Sequence, residues 1–286
     1  MKTTTAAPVA LLIFNRPETT ARVFDAVAQA RPPVLLVVAD GPRPDRDGEQ
    51  ELCRRARDIV RRVDWPCDVR TNFSERNLGC RQRIASGLDW VFEQVEQAII
   101  LEDDCLPHPT FFRFCDELLA RYHDQPSVMM ISGNNFLPGR PVAASYYFSR
   151  YAHIWGWATW RRAWRMYDVD MKTWPGKRDA GWCEQIFGSE REAAHWRSAF
   201  DAAYSRKIGT WDYQWAYACL SNHGLAAVPA ANLVSNIGFG SSATHTSRAD
   251  DPLARARLNS IGFPLHRHCT CRFSGYSHRH NDTRYH

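Results

Sequence analysis

The 286-residue chain is poor in lysine: only Lys2, Lys172, Lys177 and Lys207 stand among its 36 basic residues, a bias of coding before it is a functional choice. It also lacks any long apolar run. The longest, residues 9–14 and 34–39, are strand-sized and far short of the ~18 residues of a membrane span. The apolar stretch after Lys2 is cut off by Asn15-Arg16-Pro17 without a cleavage-like site, so no signal peptide is expected and the reading is cytoplasmic. Nine cysteines (53, 67, 80, 105, 115, 183, 219, 269 and 271) contain no CxxC pair, which excludes a zinc ribbon or a thioredoxin-type centre and fits a reduced interior. Neither GxGxxG nor GxxxxGK[ST] follows the first apolar run, so the common dinucleotide and P-loop readings fail. Of the net charge of +5, +4 falls between residues 246 and 286, which leaves the main body near neutral and argues against a nucleic-acid groove.

What the chain does have is QAIILEDDCLP, residues 97–107. Ala98-Ile99-Ile100-Leu101 reads as a buried parallel strand that runs directly into Glu102, Asp103 and Asp104. In open α/β sheets, ligands bind beyond the carboxyl ends of the strands. Three acids there repel one another unless donors or a cation compensate, and a hard divalent ion shared with substrate phosphates suits them. The competing reading is an acidic surface turn.

Around this stretch the pattern is regular. Strands are expected at 9–14, 34–39, 67–71 and 128–131, the second ending in Asp40-Gly41-Pro42. Between them, Pro17 opens one helix, 49–63 form an Arg-rich helix with a solvated face, and Ile84, Leu88, Val91, Phe92 and Val95 mark a third. Such alternation predicts an α/β domain with a mostly parallel central sheet flanked by helices. After a helix at 110–122, tryptophans crowd residues 134–215, above all in His153-Ile-Trp-Gly-Trp-Ala-Thr-Trp160. Flat apolar faces with polar edges suit sugar rings, although about half of these tryptophans are expected to be ordinary packing. Glu190 to Tyr204 is an amphipathic helix, and Asp212 opens another between Trp211 and Trp215. Asp212 has two readings, a partner of the helix dipole or a general base at a cleft edge. Asn232 to Gly240 and then Ser241 to Thr246 read as a strand followed by a loop able to cover a phosphate-bearing ligand. The Arg- and His-rich tail holds Cys269 and Cys271 near His266 and His268 in no standard zinc spacing, and is expected to be poorly ordered or docking.

From Val9 to Thr246 the chain resembles glycosyltransferases of the GT-A fold, most closely the N-acetylglucosaminyltransferase I family and bacterial relatives labelled family 2 glycosyltransferases. The resemblance is carried by the strand-EDD unit with Pro109-Thr-Phe-Phe112, by Gly156-Trp157, and by Trp211-Asp212 through Trp215. It implies a single catalytic domain over 1–246 (donor half 1–104, acceptor half 105–246) and a tail over 247–286. It further implies a metal-dependent, inverting hexosyl- or N-acetylhexosaminyl-transferase using a nucleotide-diphosphate sugar, with UDP the expected nucleotide. Carried over, Arg16 and Asp40 would contact the nucleotide, Glu102 and Asp103 would hold ribose and donor sugar, and Asp104 would bind Mn2+ (or Mg2+). Asp212 would be the base, Thr244 and His245 would reach the diphosphate, and Trp157 and Trp211 would face the acceptor. Arg81 stands where relatives place a nucleotide-contacting His, which leaves the base preference open. The animal members' membrane anchor has no counterpart in this sequence. The expected acceptor is a glycan or lipid-linked glycan of bacterial surface polysaccharide, and the basic tail is a candidate for peripheral membrane association.

Four other classes fit the sequence less well. A sugar-phosphate nucleotidyltransferase needs a Gly-rich basic loop after the first strand, and Ile13-Phe14-Asn15-Arg16-Pro17 is not one. A two-metal phosphoesterase wants His and Asp ligands on several strand ends. A non-catalytic carbohydrate-binding module of the same fold would use the aromatics but leave the EDD cluster and Asp212 without a purpose. Nucleic-acid binding through the tail would be strongly salt-dependent.

Overall fold

The computed structural model describes residues 4–136, 144–238 and 257–267. Its first part alternates strand and helix: β1 (Val9–Ile13), α1 (Pro17–Ala30), β2 (Val34–Ala39), α2 (Glu49–Asp58), β3 (Asp68–Phe73), α3 (Gly79–Gln94) and β4 (Gln97–Glu102). Then follow β5 (Cys105–Pro107), α4 (Pro109–Arg121), β6 (Val128–Ser132), β7 (Tyr146–Ser149) and β8 (Trp157–Trp160). The remainder is mostly helical: α5 (Arg161–Trp164), α6 (Trp174–Asp179), α7 (Trp182–Ile186), α8 (Glu190–Tyr204) and α9 (Asp212–Ser221), closed by β9 (Leu225–Pro229) and β10 (Val234–Asn236). The predicted α2 ends five residues early, passing into a 3-10 turn at Ile59–Arg62.

Eight strands form one sheet in the order β3-β2-β1-β4-β8-β6-β9-β7, while β5 and β10 pair separately. The strands β3, β2, β1 and β4 are mutually parallel, with Leu11 level with Val37 on one side and Leu101 on the other. Strand β8 runs antiparallel to both neighbours, and β6 and β9 return to the common direction. The domain is therefore α/β, with a mostly parallel central sheet flanked by helices.

Strand periodicity divides the core. Val9, Leu11, Ile13, Leu35, Val37, Ile99 and Leu101 face one layer, where they meet Val23, Phe24 and Val27 of α1 and Phe111, Phe114 and Leu118 of α4. Ala10, Leu12, Leu36, Val38, Ala98 and Ile100 face the other, against Ile84, Leu88 and Val91 of α3 and Trp215 of α9. A third cluster, with Trp174, Phe187, Phe200 and Tyr217, binds α6–α8 to the outer face of α9. Local signals start two of these helices. Ser189 accepts a bond from the Glu192 N–H ahead of α8, and His108 accepts one from the Thr110 N–H ahead of α4.

One expectation changes here, and the docking alternative for the tail is met over part of it. The aromatic run 153–160 is not a surface platform: its second half is β8, at the centre of the sheet, where Trp157 and Trp160 are buried. The tail is docked over 257–267. Ile261 and Leu265 are buried in the first core, Arg113 lies 4.0 Å over the Phe263 ring, and Ser145 N donates to His266 O at 2.8 Å.

Gly156 turns the chain into β8 at φ +64°, and a Cβ there would meet Val234 side-chain carbons at 2.7 and 2.9 Å. Left-handed strain and overpacking add, so Gly156→Ala is expected to cost roughly 2–4 kcal/mol in urea unfolding. Gly176→Ala, where a Cβ would meet nothing within 4 Å, is the control and should be neutral or slightly stabilising. Equal stability for the two variants would refute the close-approach account.

Candidate functional site

The β1→β2 connection leaves β1 on one side, and β4 lies on the other. The carboxyl ends of β1 and β4 thus flank the point where strand order reverses, the usual ligand crevice of such sheets. Arg16 follows β1, and Asp103 and Asp104 follow β4. Across this gap Arg16 Nη1 lies 2.7 Å from Asp104 Oδ2 and 3.6 Å from Asp103 Oδ1. Asp103 Oδ2 also accepts the Phe14 N–H at 3.2 Å. The Arg16 backbone is pinned, since its carbonyl accepts from Thr20 N at 3.0 Å and Thr20 Oγ1 at 2.7 Å in the first turn of α1.

One arginine does not balance the cluster. Burial, and then the neighbouring Asp104, push the Asp103 carboxyl up to about 7. Glu102 is raised further by burial, by Asp104 and Asp103, and by Asp212. Burial works against the Arg16 charge, but Asp103 and Asp104 outweigh it and raise its pKa. Cys80, at the start of α3, lies among these acids, and its thiol is raised by burial and then by Glu102 and Asp212.

Asp212 reaches this group from the other half of the domain. Trp211 and Trp215 of the α9 region pack on Trp157 at 5.7 and 5.4 Å between ring centroids, and Trp157 is paired in the sheet with Ile100 of β4. This stack brings the first residue of α9 close enough to raise Glu102. Thr210 Oγ1 donates to Asp212 Oδ1.

β10 completes the rim. It pairs with β5 so that Asn236 is level with Cys105, and Ile237 N donates to Asp104 O at 2.7 Å. Gly238 then lies on the ion pair: a Cβ would sit 2.3 Å from Asp104 Oδ2 and 2.9 Å from Arg16 Nη1. Sequence reasoning marked this glycine-containing stretch as a loop without singling out Gly238. No composition signal distinguishes a glycine needed for close approach from one that merely ends a strand.

The remaining expected site residues are elsewhere or differently used. Asp40, buried at the end of β2, has both oxygens filled: Oδ1 by the Gly41 and Leu78 N–H groups at 2.9 Å, and Oδ2 by Gly79 N at 3.0 Å and Asn77 Nδ2 at 3.1 Å. It anchors the entry to α3, and its acceptor capacity is spent there. Arg81 is buried and donates to Ala203 O at 2.8 Å and to Val169 O, so it ties α3 to the end of α8. Trp157 and Trp211 are 0% and 2% exposed and offer no face to an acceptor. Thr244 and His245 lie outside the described residues.

The donor set is oxygen-only and short of positive charge, which fits a hard divalent cation. Among the described residues no three His, Cys, Asp or Glu side chains converge as a cage. A cation here would therefore draw further ligands from a substrate, the usual arrangement for an ion shared with phosphates.

No family model and no curated protein matches the sequence. Among solved structures the chain is similar to the mannosyltransferase PcManGT from Pyrobaculum calidifontis in complex with GDP-Man and Mn2+, at 14% identity over 78% of this chain and 74% of that one (TM-score 0.40). It is also similar to the inositol-1-phosphate CTP transferase from T. maritima, at 9% identity over 79% and 86% (TM-score 0.38). A third is the 4-diphosphocytidyl-2C-methyl-D-erythritol synthase from Anaerococcus prevotii, at 10% identity over 56% and 74% (TM-score 0.31). No described helix is long and apolar enough to cross a membrane.

The raised Asp103 carboxyl has a measurable sign. Its folded pKa of about 7 exceeds the unfolded value near 4, so the native state holds the extra proton between them. Stability of the metal-free protein should therefore fall as pH rises from about 4 to about 7, and Asp103→Asn should flatten that slope. A Tm profile across this window, identical for wild type and variant, would show that Asp103 is not the strained group.

Proposed function

We propose that this protein is a metal-dependent transferase of the GT-A type that moves a sugar from a nucleoside-diphosphate donor to a hydroxyl acceptor with inversion. The observation that carries the reading is the pairing of Asp103 and Asp104 with Arg16 at the β1/β4 crevice, with Glu102 and Asp212 acting electrostatically on the same group. A cluster so short of positive charge is poor as a structural device and well suited to a ligand that brings a cation and phosphates.

In this reading Asp104 holds Mn2+ or Mg2+, and Glu102 and Asp103 orient the ribose and donor sugar. The bound cation supplies charge stabilisation for the departing diphosphate. Arg16 contributes a forked donor to the same oxygens, a geometry that matches phosphate. Asp212 takes the proton of the acceptor hydroxyl as that oxygen attacks the anomeric carbon. Its interaction with Glu102 at the crevice supports the assignment, since a general base must stand beside the reacting groups. Thr244 and His245 belong to the same proposal as diphosphate contacts. We further propose a glycan or lipid-linked glycan acceptor in bacterial surface polysaccharide assembly, in a cytoplasmic setting. The donor base is kept open between UDP and GDP.

Two variants separate the roles. Calorimetry should detect UDP or GDP binding that requires Mn2+ and disappears with chelator or in Asp104→Ala. Asp212→Asn should bind donor almost normally yet release nucleoside diphosphate about 10²–10⁴-fold more slowly, the scale of a lost general base. Normal turnover by Asp212→Asn would return Asp212 to the role of helix-dipole partner. Pyrophosphate release from a nucleoside triphosphate would instead mark a nucleotidyltransferase and overturn the reading.

A further inference from the structure

Among the described residues, β10 has a strand on one edge only, the three residues of β5. So short a pair does not hold itself in place. His108 N donates to Leu233 O at 2.8 Å and Ile237 N to Asp104 O at 2.7 Å, which turns the intervening Val234 carbonyl to the other edge. Two side-chain amides stand there where a strand would: Asn134 Nδ2 and Asn232 Nδ2 donate to Val234 O at 2.9 and 3.0 Å. Asn134 is 0% exposed and Asn232 7%. Asn232 Oδ1 in turn accepts from Asn135 N at 3.2 Å. The returning tail is bonded to the same residue, Asn259 N donating to Asn232 O at 2.8 Å and Asn232 Nδ2 to Arg257 O at 3.4 Å. β10 is thereby tied to the end of β6 and to residues 257–259.

The asparagine pair is not built for stability alone. Asn134 Nδ2 faces two acceptors, Val234 O and, at 3.4 Å, Asn232 Oδ1, which fixes the orientation of its amide. Its Oδ1 is then left buried without a hydrogen-bond partner. A buried carbonyl without a donor costs stability that an apolar side chain of the same size would not. What the pair supplies is the placement of β10. We propose that Asn232 and Asn134 are positioning residues of the crevice: they hold β10 so that Ile237 fixes the Asp104 backbone and Gly238 lies against the Arg16–Asp104 pair. This rests on the reading of the crevice as a nucleoside-diphosphate site. An acid that must meet a ligand at bonding distance tolerates little displacement, and a loosened β10 would release Asp104 from one side. By the same bonds residues 257–259 belong to the working unit of the domain, beyond the boundary expected at residue 246.

The test uses the full chain and two readouts: hydrogen exchange of the Ile237 amide, which reports its bond to Asp104 directly, and calorimetric affinity for UDP or GDP with Mn2+. Asn232→Ala and Asn134→Leu should each exchange the Ile237 amide about tenfold faster than wild type. Both should bind the nucleotide about tenfold more weakly. Asn134→Leu also removes the unpaired oxygen and leaves Val234 O bonded to Asn232, so its Tm should stay close to that of wild type, and it decides the matter if Asn232→Ala fails to fold by thermal melting. Val91→Ala, which opens a cavity in the second core, should lower Tm yet keep both readouts within about twofold of wild type. If either readout of the folded asparagine variants stays at the wild-type value while wild type binds UDP or GDP, the positioning role is wrong and the proposed function stands. Equal changes in Val91→Ala would reduce the effect to a general loss of stability and overturn the role as well. If wild type binds neither nucleotide, the proposed function falls and the positioning role with it.

Discussion

The crevice is governed by a shortage of positive charge. Glu102, Asp103 and Asp104 are consecutive, so β4 cannot end without delivering all three to the same rim, and Arg16 is the cation paired with them among the described residues. A strand this strained at its end must be secured along its length. Ala98 to Leu101 are fully buried between β1 and β8, and apolar layers cover both faces. The sheet centre thus stabilises what its edge destabilises, a division commonly found where a site breaks local rules.

Asp40 supplies the internal control for this interpretation. It too ends a parallel strand one position from β1, and it too is buried. Yet it receives four donors from its own loop and the start of α3, so its charge is satisfied by the fold. Asp103 receives one backbone N–H and a guanidinium at 3.6 Å. The same residue type at the same rim is a fully bonded anchor in one case and a more sparsely partnered acid in the other. The difference lies in how many donors the following loop can turn inward: Asp40 is met by Gly41 and the Asn77–Gly79 turn, whereas Asp104 is followed at once by β5.

This contrast explains what the sequence could convey. The alternation of strand and helix through β4, the position of the acids and the start of α9 at Asp212 were legible because they follow from local periodicity and turn residues. The use of Asp40, Arg81, Trp157 and Trp211 was not, because each is decided by partners distant in the chain. Arg81 meets Ala203, 122 residues away, and nothing near it announces that carbonyl. The tryptophans misled for a related reason. A flat apolar face with a polar edge serves a sugar or a core equally well, and only the antiparallel insertion of β8 between β4 and β6 decides for the core.

Buried, the tryptophans still bear on Asp212 through packing. Trp164 stacks on Tyr167 at 4.3 Å and leans on Trp215 at 5.4 Å, and Tyr167 Oη donates to the Trp211 carbonyl at 3.2 Å, immediately before Asp212. The carboxylate is therefore joined to β4 through rigid rings and one strand register, not through a flexible loop. For the base role proposed for Asp212 this rigidity matters, since a proton acceptor works only within hydrogen-bond reach of its proton and small displacements are costly in rate. Leucines could fill the same volume, but their side chains would not fix the start of α9 through ring stacking and a phenol-to-backbone bond. The aromatic density of residues 153–217 is best understood as packing that fixes the start of α9, and with it Asp212, relative to β4.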